Sequence, residues 1–281
     1  MRKRLKKTFT QTFPAGNSLN VYNAFDIVGD IAITKVPNSS EANGKAIAET
    51  IIRVHQNIKT VLVQDSPVAG NFRIRRLKHA AVENKTHTIH KENGCFFAVD
   101  VEACYFSPRL CHERKRIAQQ IKPNETIVNM FAGVGCFSIV IAKKVSSAKV
   151  FSIDINPVAI KFMEENIRLN RVYGKVIPLL GDAKTIIENQ LHCADRVLMP
   201  LPEKAFEYLP YAVSALKTSG GWIHLHAFEH ATKTENPAEK VKQKVTEKLQ
   251  VLGVDYEIPL VRVVRSTGPN WWQLVADIHV T

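Results

Sequence analysis

From residue 108 onward, short runs rich in apolar and β-branched residues alternate with longer stretches whose apolar residues recur three and four apart. No other feature constrains the fold as much, because the two periods belong to strands and helices respectively. Residues 126–130, 150–153, 176–180, 195–199 and 222–228 read as strands. Residues 136–143, 157–170, 205–216 and 238–252 read as helices. Alternation at this spacing builds a mostly parallel sheet with helices on both faces. Residues 256–264 and 271–280 have no helix between them, so they close the chain as an antiparallel edge pair around Gly268-Pro269. A helix over 108–121, with Ser107 as N-cap and Pro108 at its first position, leads into this region.

The preceding residues have a different character. Residues 1–20 are polar and basic and read as a flexible arm. Residues 25–36 read as strand, bent at Gly29, followed by a turn over 37–43 and a helix over 45–56. Residues 59–63, 72–77, 86–90 and 96–101 read as further strands. The expectation is a basic arm (1–20), a small α+β domain (21–103) and a larger α/β domain (104–281).

Charge narrows the partners. Lys and Arg number 38 against 26 Asp and Glu, a formal net charge of +12. A surplus of this size raises the local concentration of polyanions such as nucleic acid. No apolar run approaches the roughly 18 residues that span a bilayer, so no membrane partner is expected. The basic N-terminus lacks the apolar core of a secretory signal. Five cysteines, with no C-x-x-C pair, fit a reducing cytoplasm and disfavour a disulfide framework or a cysteine zinc site. His224, His226 and His230 have no specific metal-ligand spacing, and no metal is expected.

The chemistry concentrates at the strand ends of the larger domain. Asn129-Met-Phe-Ala-Gly-Val-Gly-Cys-Phe137 lies where the first parallel strand meets its helix. Gly133 and Gly135 permit a tight turn and close approach of a ligand. Asp154 ends the next strand, about twenty residues on, where an acid can accept from ribose hydroxyls; the competing reading is a helix cap before Pro157. Ile155 follows it. A dinucleotide fingerprint would have a third glycine where this chain has Ser138. S-adenosyl-L-methionine carries a sulfonium and no phosphate, so it dispenses with that cradle. Asp182 and Ala183 after the third strand would meet the adenine edge, and Pro200 after the fourth would wall the reactive methyl. This set favours a class I, Rossmann-like methyltransferase over a dehydrogenase.

With these stretches Phe25-Asp-Ile-Val-Gly-Asp-Ile-Ala32, Thr86-His-Thr-Ile-His-Lys-Glu-Asn-Gly94, Tyr105-Phe-Ser-Pro-Arg-Leu-Cys-His-Glu-Arg114, Met130-Phe-Ala-Gly-Val-Gly135 and Asp154-Ile-Asn-Pro157, residues 24–281 resemble the archaeal tRNA (guanine-37-N1)-methyltransferases and their wyosine-pathway relatives. The resemblance implies methyl transfer from S-adenosyl-L-methionine to N1 of guanosine 37, with tRNA held at its anticodon stem and loop by a monomer. It assigns the base to Glu113. Arg109, four residues earlier, is the candidate donor to O6 or a phosphate; the alternative is an i,i+4 ion pair on one helix. Arg114 would meet the polar end of the cofactor, and Tyr105 and Phe131 would line its cleft. Arg73 resembles an arginine used near the target base. On a strand Arg73 and Arg75 would share a face for phosphate contact, with Lys91 adding another cation.

Two positions depart from the family pattern. Asn129 stands where relatives commonly carry Asp, and Pro200-Leu-Pro202 stands where they carry Asn-Leu-Pro. Many members also have an N-terminal domain that grips the tRNA elbow, which this sequence is expected to lack. Aminocarboxypropyl transfer, or methylation of a tricyclic base, is therefore the alternative enzyme reading. A non-catalytic RNA-binding protein is the alternative outside enzymes.

Overall fold

A computed structural model of the chain describes residues 25–35, 41–190 and 192–281. The expected basic arm over 1–20 and most of the turn after residue 35 lie outside the described residues. The chain divides into two compact units, the first running to Cys111 and the second His112–Thr281.

In the first unit, β1 (Phe25–Val28) and β2 (Ile31–Thr34) form a hairpin, followed by α1 (Glu41–Val54), β3 (Thr60–Gln64) and β4 (Leu77–Val82). Their sheet runs β1-β2-β3-β4, with β2 and β3 parallel and the outer pairs antiparallel. Ala32, Ile47, Ala48, Ile51, Ile58 and Val61 form its buried core, so the apolar face of α1 is spent on the sheet. β5 (His87–Glu92) and β6 (Cys95–Asp100) pair as a separate hairpin. Gly29 joins β1 to β2 at φ +57, and a Cβ there would lie 2.2 Å from Thr88 Oγ1 and 2.6 Å from the Ile89 carbonyl oxygen. The Gly29 N–H donates to His90 Nδ1 at 3.1 Å. Only glycine lets β5 come this close.

Residues 72–77 are not the expected strand. Phe72-Arg-Ile-Arg75 alternates as a strand would, but Gly70 and Arg73 have φ of +72 and +52 and the segment turns, with only an isolated Ala69–Ile74 bridge. The strand that pairs with β3 starts at Leu77. Arg73 and Arg75 therefore do not share a strand face. The expected helix over 108–121 is also divided. Pro108–Leu110 is a 3-10 turn closed by the Cys111 N–H on the Pro108 carbonyl, and the α-helix α2 is Cys111–Gln120. Ser107 is at the N-cap position without a side-chain cap.

The second unit is built on a seven-stranded sheet. β7 (Thr126–Asn129), β8 (Lys149–Asp154), β9 (Val176–Leu180), β10 (Arg196–Met199) and β11 (Gly221–His230) are parallel. β12 (Tyr256–Gly268) and β13 (Trp271–Val280) are the antiparallel pair, and β13 also pairs with β11 over ten residues. The order β12-β13-β11-β10-β7-β8-β9 reverses direction at β7. Ligands in such sheets bind outside the carboxyl ends at that switch point. α3 (Cys136–Lys144), α4 (Pro157–Asn170), α6 (Ala205–Ala215) and α7 (Pro237–Leu252) fall where the 3.6 period places them. Val128, Ile153, Val197, Leu225, Leu249 and Ala276 tie β7, β8, β10, β11, α7 and β13 into one core. The sequence reading missed α5 (Ala183–Gln190), whose Thr185, Ile186, Ile187 and Asn189 are weak helix formers. Asp182 starts it by accepting the Lys184 N–H at 2.8 Å.

Candidate active site

The turn after β7 is fixed from two sides. Gly133 and Gly135 have φ of +57 and +89, and a Cβ on Gly135 would meet Met163 Cγ at 2.8 Å. The Gly133 N–H donates to Asp154 Oδ2 at 2.6 Å, and the Asn156 N–H donates to Oδ1 at 2.9 Å. Asp154 thus clamps the glycine turn to the end of β8. It is not the helix cap: Asn156 caps α4 by accepting the Val158 N–H at 2.9 Å. Burial raises the Asp154 carboxyl above its ordinary range, and the two backbone N–H groups only partly counter it. Beneath the turn, fully buried Asn129 donates to Ser138 Oγ at 3.1 Å, and Ser152 donates to the same oxygen at 2.7 Å. The Asn129 Oδ1 is buried with no hydrogen-bond partner.

The neighbouring strand ends supply the other surfaces. Ile155 and Leu180 are 41% and 57% exposed at the ends of β8 and β9. Asp182 accepts the Tyr208 hydroxyl on both oxygens, at 3.1 and 2.9 Å, and Phe131 packs edge-on against the Tyr208 ring. Burial and then the Asp182 carboxylate raise the Tyr208 hydroxyl, which therefore stays a donor. The Ala183 side chain is in the core, leaving its backbone for any ligand. Pro200 is half-buried just past β10. Arg114 is 4% exposed, with its guanidinium 5.8 Å from the centroid of Phe137 in the first turn of α3. An adenosyl group needs carboxylates for its ribose and adenine and exposed apolar side chains for its rings. Asp154, Asp182, Ile155 and Leu180 fit that need, and the orphaned Asn129 oxygen suits a donor at the glycine turn.

Glu113 is in the first turn of α2 and 1% exposed. Its carboxylate accepts from Arg116 Nε at 3.0 and 3.1 Å and Nη2 at 2.7 Å, and also from Arg262 Nη2 of β12. Burial pushes the Glu113 carboxyl up, but the Arg116 hydrogen bonds and surrounding positive charge outweigh it, and the group is held below the usual range. His226 faces it from β11; burial holds that imidazole down to about 4, so it is neutral at neutral pH.

In the first unit, Arg109 Nε donates to Asp26 Oδ1 at 2.5 Å. Contrary to expectation, Arg109 and Glu113 are not one turn apart on a single α-helix: a 3-10 turn holds the first, the α-helix the second, and each has its own partners. The Arg73 guanidinium lies 4.0 Å from the centroid of Tyr105. Arg75 Nη1 donates to Gln64 Oε1 at 3.2 Å, and its charge is felt by Asp26, Tyr105 and Arg109. Arg73, Arg75 and Arg109 thus gather around Tyr105 and Asp26. Lys91 stands apart, 5.3 Å from the Phe96 ring.

The glycine turn, the carboxylate that clamps it and the parallel strand order together define a class I methyltransferase that uses S-adenosyl-L-methionine. The chain belongs to the TRM5/TYW2 methyltransferase family: that family's methyltransferase domain matches residues 88–252, and a TYW2 N-terminal domain matches residues 5–81. It is 41% identical to tRNA (guanine(37)-N(1))-methyltransferase Trm5b of Pyrococcus abyssi, over 92% of this chain and 75% of that one. It is 36% identical to tRNA 4-demethylwyosine(37)-methyltransferase Taw21 of Saccharolobus solfataricus, over 92% of this chain and 94% of that one. The solved complex of aTrm5 and tRNALeu superposes with a TM-score of 0.84 at 33% identity, covering 100% of this chain and 79% of that one.

Proposed function

We propose that this protein transfers a methyl group from S-adenosyl-L-methionine to N1 of guanosine 37 in tRNA, acting as a monomer on the anticodon stem and loop. Besides its likeness to a relative of that name, one observation carries the reading: a buried carboxylate, Glu113, kept ionised by two arginines. N1 of guanine bears a proton at neutral pH and is a poor nucleophile. That proton becomes strongly acidic as the new carbon–nitrogen bond forms, and an ionised Glu113 can take it then. Negative charge moving toward O6 calls for a positive donor, the role given to Arg73 or Arg109. Bound S-adenosyl-L-methionine supplies an electrophilic methyl carbon on a sulfonium that departs as a neutral thioether. Asp154 would hold the ribose hydroxyls, Ile155 the adenine face and Asp182 the adenine edge, with Phe131, Ala183 and Pro200 shaping the pocket and Arg114 meeting the methionine carboxylate. Arg75 and Lys91 would hold tRNA phosphates, as part of an RNA-recognition region over 21–103. The absence of a helix long and apolar enough to cross a membrane, among the described residues, is compatible with work in the cytoplasm.

Single-turnover transfer from methyl-labelled cofactor to tRNA transcripts carrying G or A at position 37 tests the reading. Label should enter only the G37 transcript. A second reading draws on the TYW2 N-terminal match, together with Asn129 and Pro200 in place of the usual family residues. It gives a wyosine-type tricyclic base as acceptor. Labels placed separately on the methyl and on the methionine carbons distinguish methyl from aminocarboxypropyl transfer.

A further inference from the structure

Glu113 is one end of a chain of charged side chains that runs through the second unit. Arg116 uses one edge, Nε and Nη2, on Glu113, and its outer fork on Asp277 of β13: Nη1 to Oδ2 at 2.6 Å and Nη2 to Oδ1 at 2.9 Å. His224 of β11 donates from Nδ1 to Asp277 Oδ1 at 2.6 Å. Its Nε2 is 2.6 Å from Arg196 Nη1 of β10. A guanidinium can only donate, so Nε2 accepts, Nδ1 holds the proton and the imidazole is neutral. Arg196 ends the chain with a fork on Glu125, at 2.9 and 3.1 Å. With Arg262 on Glu113, the guanidiniums of Arg116, Arg196 and Arg262 balance the carboxylates of Glu113, Asp277 and Glu125.

A buried ion pair is seldom needed for stability alone, because apolar packing does as well without the desolvation cost. This chain does something apolar side chains could not: it divides the positive charge of Arg116 between two carboxylates. Resting on Glu113 as the base, we propose that Arg116, Asp277 and His224 are positioning residues. Arg116 fixes the orientation of the Glu113 carboxylate, and Asp277, oriented by His224, holds back part of the Arg116 charge so that Glu113 can still accept a proton. The charged or titratable groups facing Glu113 are Arg116 from its own helix, Arg262 from β12 and His226 from β11, with Asp277 of β13 behind Arg116.

The test is the pH profile of single-turnover methyl transfer to a G37 transcript. In Arg116→Gln the acid limb should move up by one to three pH units. The deficit against wild type should therefore grow as pH falls toward the raised limb, and at pH 8 the rate should lie within about threefold of wild type. Arg116→Lys should not restore the wild-type profile, because a point charge cannot span two carboxylates. Asp277→Asn should lower the rate about three- to tenfold, evenly between pH 6 and 8, because Glu113 then takes the full Arg116 charge. The double variant Arg116→Gln/Asp277→Asn leaves no second unpaired carboxylate; it should show the same upward shift and covers the case where Arg116→Gln does not fold. A Glu113→Gln variant at wild-type rate would instead overturn the base assignment. Loss of rate in Glu113→Gln, with an unmoved acid limb in the folded Arg116 variants, would overturn the positioning role alone.

Discussion

The two units treat charge in opposite ways. In the first, Arg73, Arg75 and Arg109 gather near the Asp26 carboxylate, and the Arg109 side chain is 43% exposed. In the second, Glu113, Asp277 and Glu125 are each matched by a guanidinium, and His224 between them is neutral. Half-buried to exposed arginines clustered around one carboxylate suit a polyanion, which brings its own negative charge. Balanced, buried charge suits proton transfer, where a small change in local potential changes the affinity of a base for its proton. The net charge of +12 conceals this division of labour.

The contrast can be broken most severely at Glu113. Glu113→Gln should lower single-turnover methyl transfer by about a hundredfold or more, with cofactor affinity by calorimetry unchanged. Asp154→Asn should weaken cofactor binding about ten- to a hundredfold, because the charged hydrogen bond to Gly133 and the proposed ones to the ribose are lost, while tRNA affinity holds. A pH titration of unfolding sharpens the view of the buried side. His226 titrates near 4 in the folded chain and near 6.5 unfolded, so the unfolded state binds the extra proton between these values. Stability should fall by about 3 kcal/mol on account of His226 as pH drops from 6.5 to 4, with His224 contributing in the same direction. Below that, Glu113 and Asp277, both held low, contribute stability above their unfolded values that is lost as pH falls through their folded ones. In the first unit, Arg75→Gln should weaken tRNA binding several-fold in a filter-binding assay and leave the rate at saturating tRNA unchanged. The smallest effect is expected for Tyr208→Phe, which removes one donor from Asp182 and should cost about threefold to tenfold in cofactor affinity.

How far the sequence reveals these arrangements depends on how local their causes are. The parallel strands, their helices and the glycine turn follow from periods and turn residues a few positions apart, and residues 157–170 form a helix as read. Phe72-Arg-Ile-Arg75 misleads because its alternation imitates a strand, while the positive φ at Arg73 and Gly70 depends on surroundings that no pattern carries. Pro108 at a helix start was legible; that its first turn would tighten into 3-10 bonding, separating Arg109 from the stripe of Glu113, was not. The i,i+3 spacing of Glu113 and Arg116 was a visible clue to the buried pair. Asp277 and His224 gave none, since they lie far along the chain; Asp277 meets Arg116, and His224 meets Asp277, only because β13 inserts beside β11. His224 and His226 draw attention as a metal pattern, yet the structure engages the first between Asp277 and Arg196 and places the second beside Gln273.

The neutral histidine and the matched arginines have a practical corollary. Dissolved salt screens solvent-facing charges within a Debye length of about 8 Å, but it weakens buried, self-compensated pairs far less. Raising potassium chloride should therefore loosen the grip on RNA steeply while leaving the rate constant of the saturated complex almost flat. Ionic strength becomes a means of separating encounter from chemistry in this enzyme without altering a single residue.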